Sequence, residues 1–518
     1  MPVPFFAARW IKIPHITDHF WQTKSDSPYR RKGLGMMAAS MLDNIKDQLA
    51  GSSDVVYQSI NVYGHACMLI YIPSIVDTLS MQQYVSTPLK SEANSEPDWP
   101  GFLERLDRGS AFAIPYVKVY DLDRAVELVV GGNALLCIEG LPYLYYFEIV
   151  HYQKRAVSES QNELVVIGPQ EAFIEDIDTN LSLLRHIIKH ADLKTKHFSI
   201  GKYTKTDVYL VYIEGLYNLD ILEEIQTKLA NLSVDGVLGI SYLGEQMKQG
   251  HFSPFPSFQY TERPDSVAAS LMEGRIGMMM DGTPSALLTP VTFMALLQSS
   301  EDYYQNFYAG SWVRLVRLFF SVLSLVLPSL YVAITTFHSQ IIPSDLLLTI
   351  ASARENIPFS ALTEALIMEL TFEALREAGT RIPKPVGQTV SVIGGIVIGQ
   401  AAVQAGIVSA PMVIVVSITG IASYIIPHLE LGLTFRLLRF VLLILGGTMG
   451  LLGVIVAVFI IYGHLAHLRS YGTPFLQPIA PLVFQDWKDT FFRVPSQYMT
   501  KRSTAFTNRK NDRRQKKQ

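Results

Sequence analysis

The fold turns on Pro358-Phe359-Ser360-Ala361-Leu362-Thr363-Glu364-Ala365-Leu366-Ile367-Met368-Glu369-Leu370-Thr371-Phe372-Glu373 and on the uncharged chain downstream of it. Carboxylates sit here among large apolar side chains, and from Val386 to Pro427 the chain then carries no Asp, Glu, Lys or Arg. An uncharged run of about 40 residues is twice the roughly 20 that one helical bilayer crossing needs. Ser409-Ala410-Pro411 lies at its middle. The stretch therefore predicts a transmembrane hairpin preceded by an acidic, partly apolar helix.

Outward from that stretch, the 518 residues are 49% hydrophobic and only 17% charged, too apolar for a wholly soluble chain. The excess is local, because residues 313–463 hold membrane-length apolar runs while residues before about 290 mix charged, aromatic and aliphatic types. Strand-like runs such as Val55 to Ile60 and Ala66 to Ile72 alternate there with helical stripes such as Ile174, Ile177, Leu181, Leu184 and Ile188. The fold class expected is an α/β cytoplasmic N-terminal domain of two subdomains, followed by an all-α multi-pass transmembrane domain. The boundaries read as a poorly structured leader over 1–45, subdomains over 46–157 and 158–300, a helical membrane domain over 301–485 and a basic cytoplasmic tail over 486–518.

In the membrane half, Leu318 to Phe337 and Phe440 to Tyr462 read as spans on either side of the hairpin. Pro328 is tolerable in the first because a neighbouring helix can satisfy the carbonyl it frees. Leu346 to Ala351 is too short to cross and reads as re-entrant or interfacial. Four crossings place both ends in the cytoplasm but put Arg376, Arg381, Lys384, Arg436 and Arg439 outside, against the charge bias. Counting 344–378 as a fifth crossing repairs those loops and puts the basic tail outside instead.

Lys501, Arg502, Arg509, Lys510, Arg513, Arg514, Lys516 and Lys517 crowd that tail, and anionic lipid headgroups suit it better than nucleic acid, for which these basic residues offer no aromatic platform beyond Phe506. Cys67 and Cys137 read as buried thiols rather than a disulfide framework. The first residues lack the apolar core of a cleaved signal. There is no Walker loop, GxSxG, paired CxxC or dinucleotide fingerprint, so no enzyme, cofactor or metal site is expected. His186 and His190 have helical i, i+4 spacing but no third ligand, and read as a solvated face.

At about 100° per residue, Glu369, Glu373 and Glu377 fall within an arc of about 80° and share one face, while Glu364 points elsewhere. Such a face meets headgroups as an amphipathic surface, or lines an ion path when several copies surround an axis. Gln400 and Gln404 stack on one face and either line a polar path or bond a neighbouring helix. Gly395 with Gly399, and Gly446 with Gly450, have GxxxG spacing that permits close helix packing.

These residues also carry a resemblance. Gly168-Pro169-Gln170-Glu171-Ala172-Phe173, Thr179-Asn180-Leu181, Thr204-Lys205-Thr206, Thr261-Glu262-Arg263-Pro264-Asp265, Asp281-Gly282-Thr283-Pro284, Glu301-Asp302-Tyr303-Tyr304, Met368-Glu369-Leu370-Thr371-Phe372-Glu373, Pro383-Lys384-Pro385-Val386-Gly387-Gln388 and Gly399-Gln400-Ala401-Ala402-Val403 resemble, in order over about residues 155 to 485, the A subunit of the GerA-type spore germination receptors. The resemblance implies a nutrient receptor of the spore inner membrane, built from this subunit with a permease-like B subunit and a lipoprotein C subunit. It further implies self-oligomers in the lipid bilayer that release ions when nutrient binds. A secondary transporter and a non-conducting scaffold are the rival readings.

Overall fold

Residues 41–151, 160, 163, 165–249, 252–381, 399–507 and 512–513 are described by the structure, a computed structural model. Strands β1 (Val56–Val62) and β2 (His65–Tyr71) form a tight hairpin whose two turn residues, Tyr63 and Gly64, both have positive φ, the backbone that matches strand twist. Helix α1 (Trp99–Asp107), β3 (Tyr116–Val119), α2 (Leu122–Val130), β4 (Ala134–Ile138) and β5 (Leu144–Phe147) complete a first unit. A second unit comprises α3 (Ile177–Ile187), β6 (Leu193–Ile200), β7 (Thr206–Ile213), α4 (Leu219–Ala230), β8 (Gln259–Thr261), α5 (Pro264–Met272), β9 (Ile276–Met280) and β10 (Ala286–Thr289).

The two sheets are laid out alike. The first runs β1-β2-β4-β5-β3 and the second β6-β7-β9-β10-β8, every pairing antiparallel. The α/β part is thus one unit repeated: hairpin, helices, edge strand, helix, closing hairpin. Strands β4 and β9 are buried at every residue because apolar clusters pack on both faces of each sheet, which is why they read as unbroken apolar runs. Cys67 and Cys137 are free, buried in clusters on opposite faces, and burial pushes their thiols up to about 12 and about 11.

Asp54 joins the units. It accepts two bonds from Arg185 at 2.9 Å each and one from the Thr195 hydroxyl at 2.7 Å, all buried. Two expectations are corrected here. A helix occupies 41–49 and buries Ile45 and Leu49 in the first core, so the leader ends before residue 45. Helix α3 stops at Ile187, so His186 and His190 share no helix face. The subdomain boundary expected between residues 157 and 158 lies outside the described residues.

The helical part consists of α6 (Phe307–Phe337), α7 (Ser344–Arg354), α8 (Ala361–Arg381), α9 (Ala410–Tyr424) and α10 (Leu429–His467). Among the described residues α6 and α10 are long and apolar enough to cross a bilayer. Helix α10 is not straight, because Gly450 has φ 64° and ψ −146° and folds it back on itself. A Cβ on Gly446 would lie 3.0 Å from Val454, and the two ends return to one loop: Thr434 donates to the Pro254 carbonyl at 2.7 Å and His464 bonds Ser253 at 2.8 Å. The span expected over Phe440 to Tyr462 is therefore corrected to two antiparallel arms, 429–449 and 451–467, each near the roughly 20 residues of one crossing.

Chain beyond α10 returns to the second α/β unit. Tyr471 is buried in its core and donates to the Met247 carbonyl at 2.7 Å, and Arg502 donates to the Met272 carbonyl at 2.7 Å. The basic tail expected over 486–518 is thus packed through residue 507, and most of its basic end lies outside the described residues. Replacing Gly450 by Ala should cost about 1–2 kcal/mol for the left-handed backbone and more for contact with His338, whose ring lies 2.9 Å from the added Cβ. An unchanged thermal midpoint of the purified variant would show that the turn is elsewhere.

Candidate functional site: a charged seam between the helices

Helix α8 begins at a Ser360 hydroxyl that accepts from the Thr363 amide, and no Pro or Gly interrupts it before Gly379. It runs antiparallel to the first arm of α10, with Leu362 against Gly447, Glu369 against Arg439 and Glu373 against Arg436. It runs parallel to α9, with Glu364 at Ser409 and Arg376 at Ser423. Three charged layers stack along this bundle.

The middle layer is the most enclosed. Glu369 is 0% exposed and accepts from Arg439 Nη1 at 2.8 Å, while Arg439 Nε donates to the Ser324 carbonyl at 2.8 Å. Ser324 is four residues before Pro328, so its carbonyl has lost its helical partner and Arg439 replaces it. One guanidinium thereby ties α6, α8 and α10 together, supplying from a neighbouring helix the partner that the proline inside α6 requires.

At the distal layer Glu364, also 0% exposed, accepts from the Ser409 amide at 2.5 Å and from its hydroxyl, and Arg354 lies 3.6 Å away. Ser409 caps α9 and Pro411 sits in its first turn, so the mid-run Ser-Ala-Pro is a helix start with a carboxylate at its positive end. The layer nearest the α/β part is built on Asp302, just before α6. Arg317 donates to both its oxygens at 2.9 Å, Arg314 donates at 3.1 Å and reaches Asp489 at 3.0 Å, and Arg493 takes the Asp302 carbonyl at 2.9 Å. Burial alone would raise the Asp302 carboxyl, but Arg317 and Arg314 outweigh it and hold it below its usual range.

Glu369, Glu373 and Glu377 do not share an open passage within one chain. Glu373 pairs with Arg376 at 3.1 Å and Arg436 at 3.0 Å, and Glu377, 64% exposed at its side chain, pairs with Arg381 at 2.6 Å. The face carrying Glu369 and Glu373 packs on α10, which also explains why Arg436 and Arg439 defy the charge bias: they neutralise carboxylates. Gln400 and Gln404 are exposed. A Cβ on Gly446 would meet the Ser329 carbonyl at 2.9 Å, one on Gly399 would touch Val413 at an ordinary 3.6 Å, and Gly395 lies outside the described residues. No group of three metal-binding side chains occurs among the described residues.

The family described as Bacillus/Clostridium GerA spore germination protein matches residues 43–505. The chain belongs to this family. It is 39% identical over 90% of its length, and 90% of the relative's, to YfkQ, a membrane protein of Bacillus subtilis (strain 168). It is 37% identical to spore germination protein KA of the same organism, over 89% of this chain and 85% of that one. It is 34% identical to spore germination protein GerLA of Bacillus cereus, over 89% and 94%. A solved structure, the N-terminal domain of the A subunit of a Bacillus megaterium spore germinant receptor, matches at 27% identity and TM-score 0.38, covering 49% of this chain and 94% of that one.

Stretches that resemble the GerA family in sequence converge in space. Arg263 binds Asp265 at 2.8 Å and the Pro169 carbonyl at 2.8 Å, Tyr304 donates to Asp265 at 2.6 Å, and Gly168 lies beneath the Tyr304 ring, where a Cβ would come within 2.7 Å. Sequence reasoning reads Arg436 and Arg439 as loop charges. The signal it misses is a complementary spacing, two glutamates four apart on one segment and two arginines three apart on the next.

Two measurements test the seam. Replacing Arg439 by Met should destabilise the protein by about 3–5 kcal/mol by stranding Glu369, and about 1 kcal/mol less in a Pro328→Ala background, where the new amide claims the Ser324 carbonyl. Zero coupling between the two substitutions in unfolding experiments would remove the carbonyl from the account. Asp302→Asn should cost a similar amount. Because the Asp302 carboxyl is depressed on folding, its contribution is complete above about pH 4 and lost as pH falls through the lowered value, so the variant's stability should lack that acid-sensitive part.

Proposed function

We propose that the chain is the A subunit of a nutrient receptor that triggers spore germination, that it self-associates in the spore inner membrane beside permease-like B and lipoprotein C subunits, and that the assembly conducts ions. The observation carrying this reading is a division of polarity. The inner charges of the bundle are neutralised within the chain, whereas α7 buries no residue at all and Gln400 and Gln404 stay exposed. A helix of that length is marginal by itself, so α7 needs a surface beyond this chain. Exposed Phe319, Leu437, Ile455 and Phe459 supply a face suited to lipid.

Both the start of α6 and the end of α10 are tied to the α/β part, which supports an even number of crossings with both ends in the cytoplasm. In this reading Glu369 and Glu373 hold the bundle together, and Glu377, Gln400 and Gln404 are nearest the ion path. Full-length protein in potassium-loaded vesicles, with its partner subunits, should release potassium when nutrient is added. Gln400→Leu with Gln404→Leu should cut that flux severalfold while leaving the amount of assembled protein unchanged. Release independent of this chain would leave it a non-conducting scaffold.

A further inference from the structure

A cavity of about 700 Å³ lies between α5 and the returning C-terminal segment, beside Asp489 at the base of the seam described above. Arg275, only 4% exposed, forms part of its lining. Its partners are all neutral: Nε donates to the Pro290 carbonyl at 2.9 Å, and Nη1 donates to Gln259 at 2.7 Å and Ser270 at 3.3 Å. Nη2 has no hydrogen-bond partner among the described residues. A buried guanidinium without a counter-charge is costly, and burial works against the Arg275 charge.

Three of the acids around the cavity are held by arginines, Asp265 by Arg263, Glu273 by Arg513 and Asp489 by Arg314, while Asp486 accepts from Ser503 and Thr504. Exposed Lys488 and Lys501 add positive charge to the lining, and Met272, Met294 and Phe506 supply apolar surface. The volume lies within the range of small-molecule sites, which combine apolar walls with few polar anchors. Arg275 shares Gln259 with His428, whose ring is 3.4 Å from the Gln259 amide nitrogen, and His428 is the residue on which α10 starts.

We infer that this cavity binds a small-molecule oxyanion, a carboxylate or a phosphate, on Arg275, and that its occupancy reaches the start of α10 through Gln259 and His428. The inference is independent of ion conduction. An oxyanion that accepts from Nη2, the guanidinium nitrogen without a partner among the described residues, completes the hydrogen bonding and supplies the missing charge.

Full-length protein in detergent, titrated with inorganic phosphate and separately with succinate at ionic strength held constant with sodium chloride, tests it. At least one anion should raise the thermal midpoint saturably by about 3 °C or more and slow hydrogen exchange over 428–435. The two titrations distinguish a phosphate site from a carboxylate site. Both effects should vanish in Arg275→Gln and in Ala269→Phe, which fills the cavity from an exposed position on α5 and leaves Arg275 in place. No saturable shift with either anion, or the same shift in Ala269→Phe, would overturn the site. A shift without altered exchange at 428–435 would overturn the link to α10.

Discussion

Arg439 meets two needs with one side chain, and the bundle depends on it. Pro328 takes an amide out of α6 and leaves the Ser324 carbonyl unserved in an apolar interior, where an unpaired carbonyl is expensive. Glu369 brings a carboxylate into the same interior. Neither is tolerable alone, and a guanidinium reaching from α10 satisfies the carbonyl and the charge together. The three helices are thereby fixed in register at a point where lipid-like packing alone would let them slide. Glu369 Oε1 and Arg439 Nη2 are left without partners, so the pair is serviceable rather than saturated.

The division into an α/β half and an apolar helical half was legible because composition and periodicity change together near residue 300. What remained hidden is what one chain's pattern cannot encode. The repeat of strand order across the two sheets depends on hydrogen-bond pairing, and the units share no run of residues that announces it. The partner of Glu369 lies 70 positions away, beyond the reach of helical spacing. The spacing of Glu369, Glu373 and Glu377 predicts a shared face, yet spacing gives a face and not what the face meets.

Glycine shows the same ambiguity within a single motif. Gly446 and Gly450 satisfy the spacing that lets two helices approach, and Gly446 does lie close to the Ser329 carbonyl. Gly450 has another task, because its positive φ reverses the chain, and a run of apolar residues on both sides offers no turn signal besides the glycines themselves. Hydropathy sums over such a reversal as if it were one long helix. The return of Thr434 and His464 to a common loop, with Gly446 against Val454, separates the two.

That common loop bears on how the halves communicate. Helix α6 leaves the α/β part through Asp302, α10 enters through His428 and Thr434 and returns through His464, and the C-terminal segment closes over the same base through Tyr471 and Arg493. Each attachment is a hydrogen bond or ion pair rather than a flexible linker, so a displacement in the second α/β unit has few ways to relax before it meets the helices. Among the described residues the repeated units are joined to each other mainly through Asp54, Arg185 and neighbouring strand-end bonds to Thr195 and Lys194. A force applied to the first unit therefore passes through that narrow joint, whereas one applied to the second acts on the helices directly.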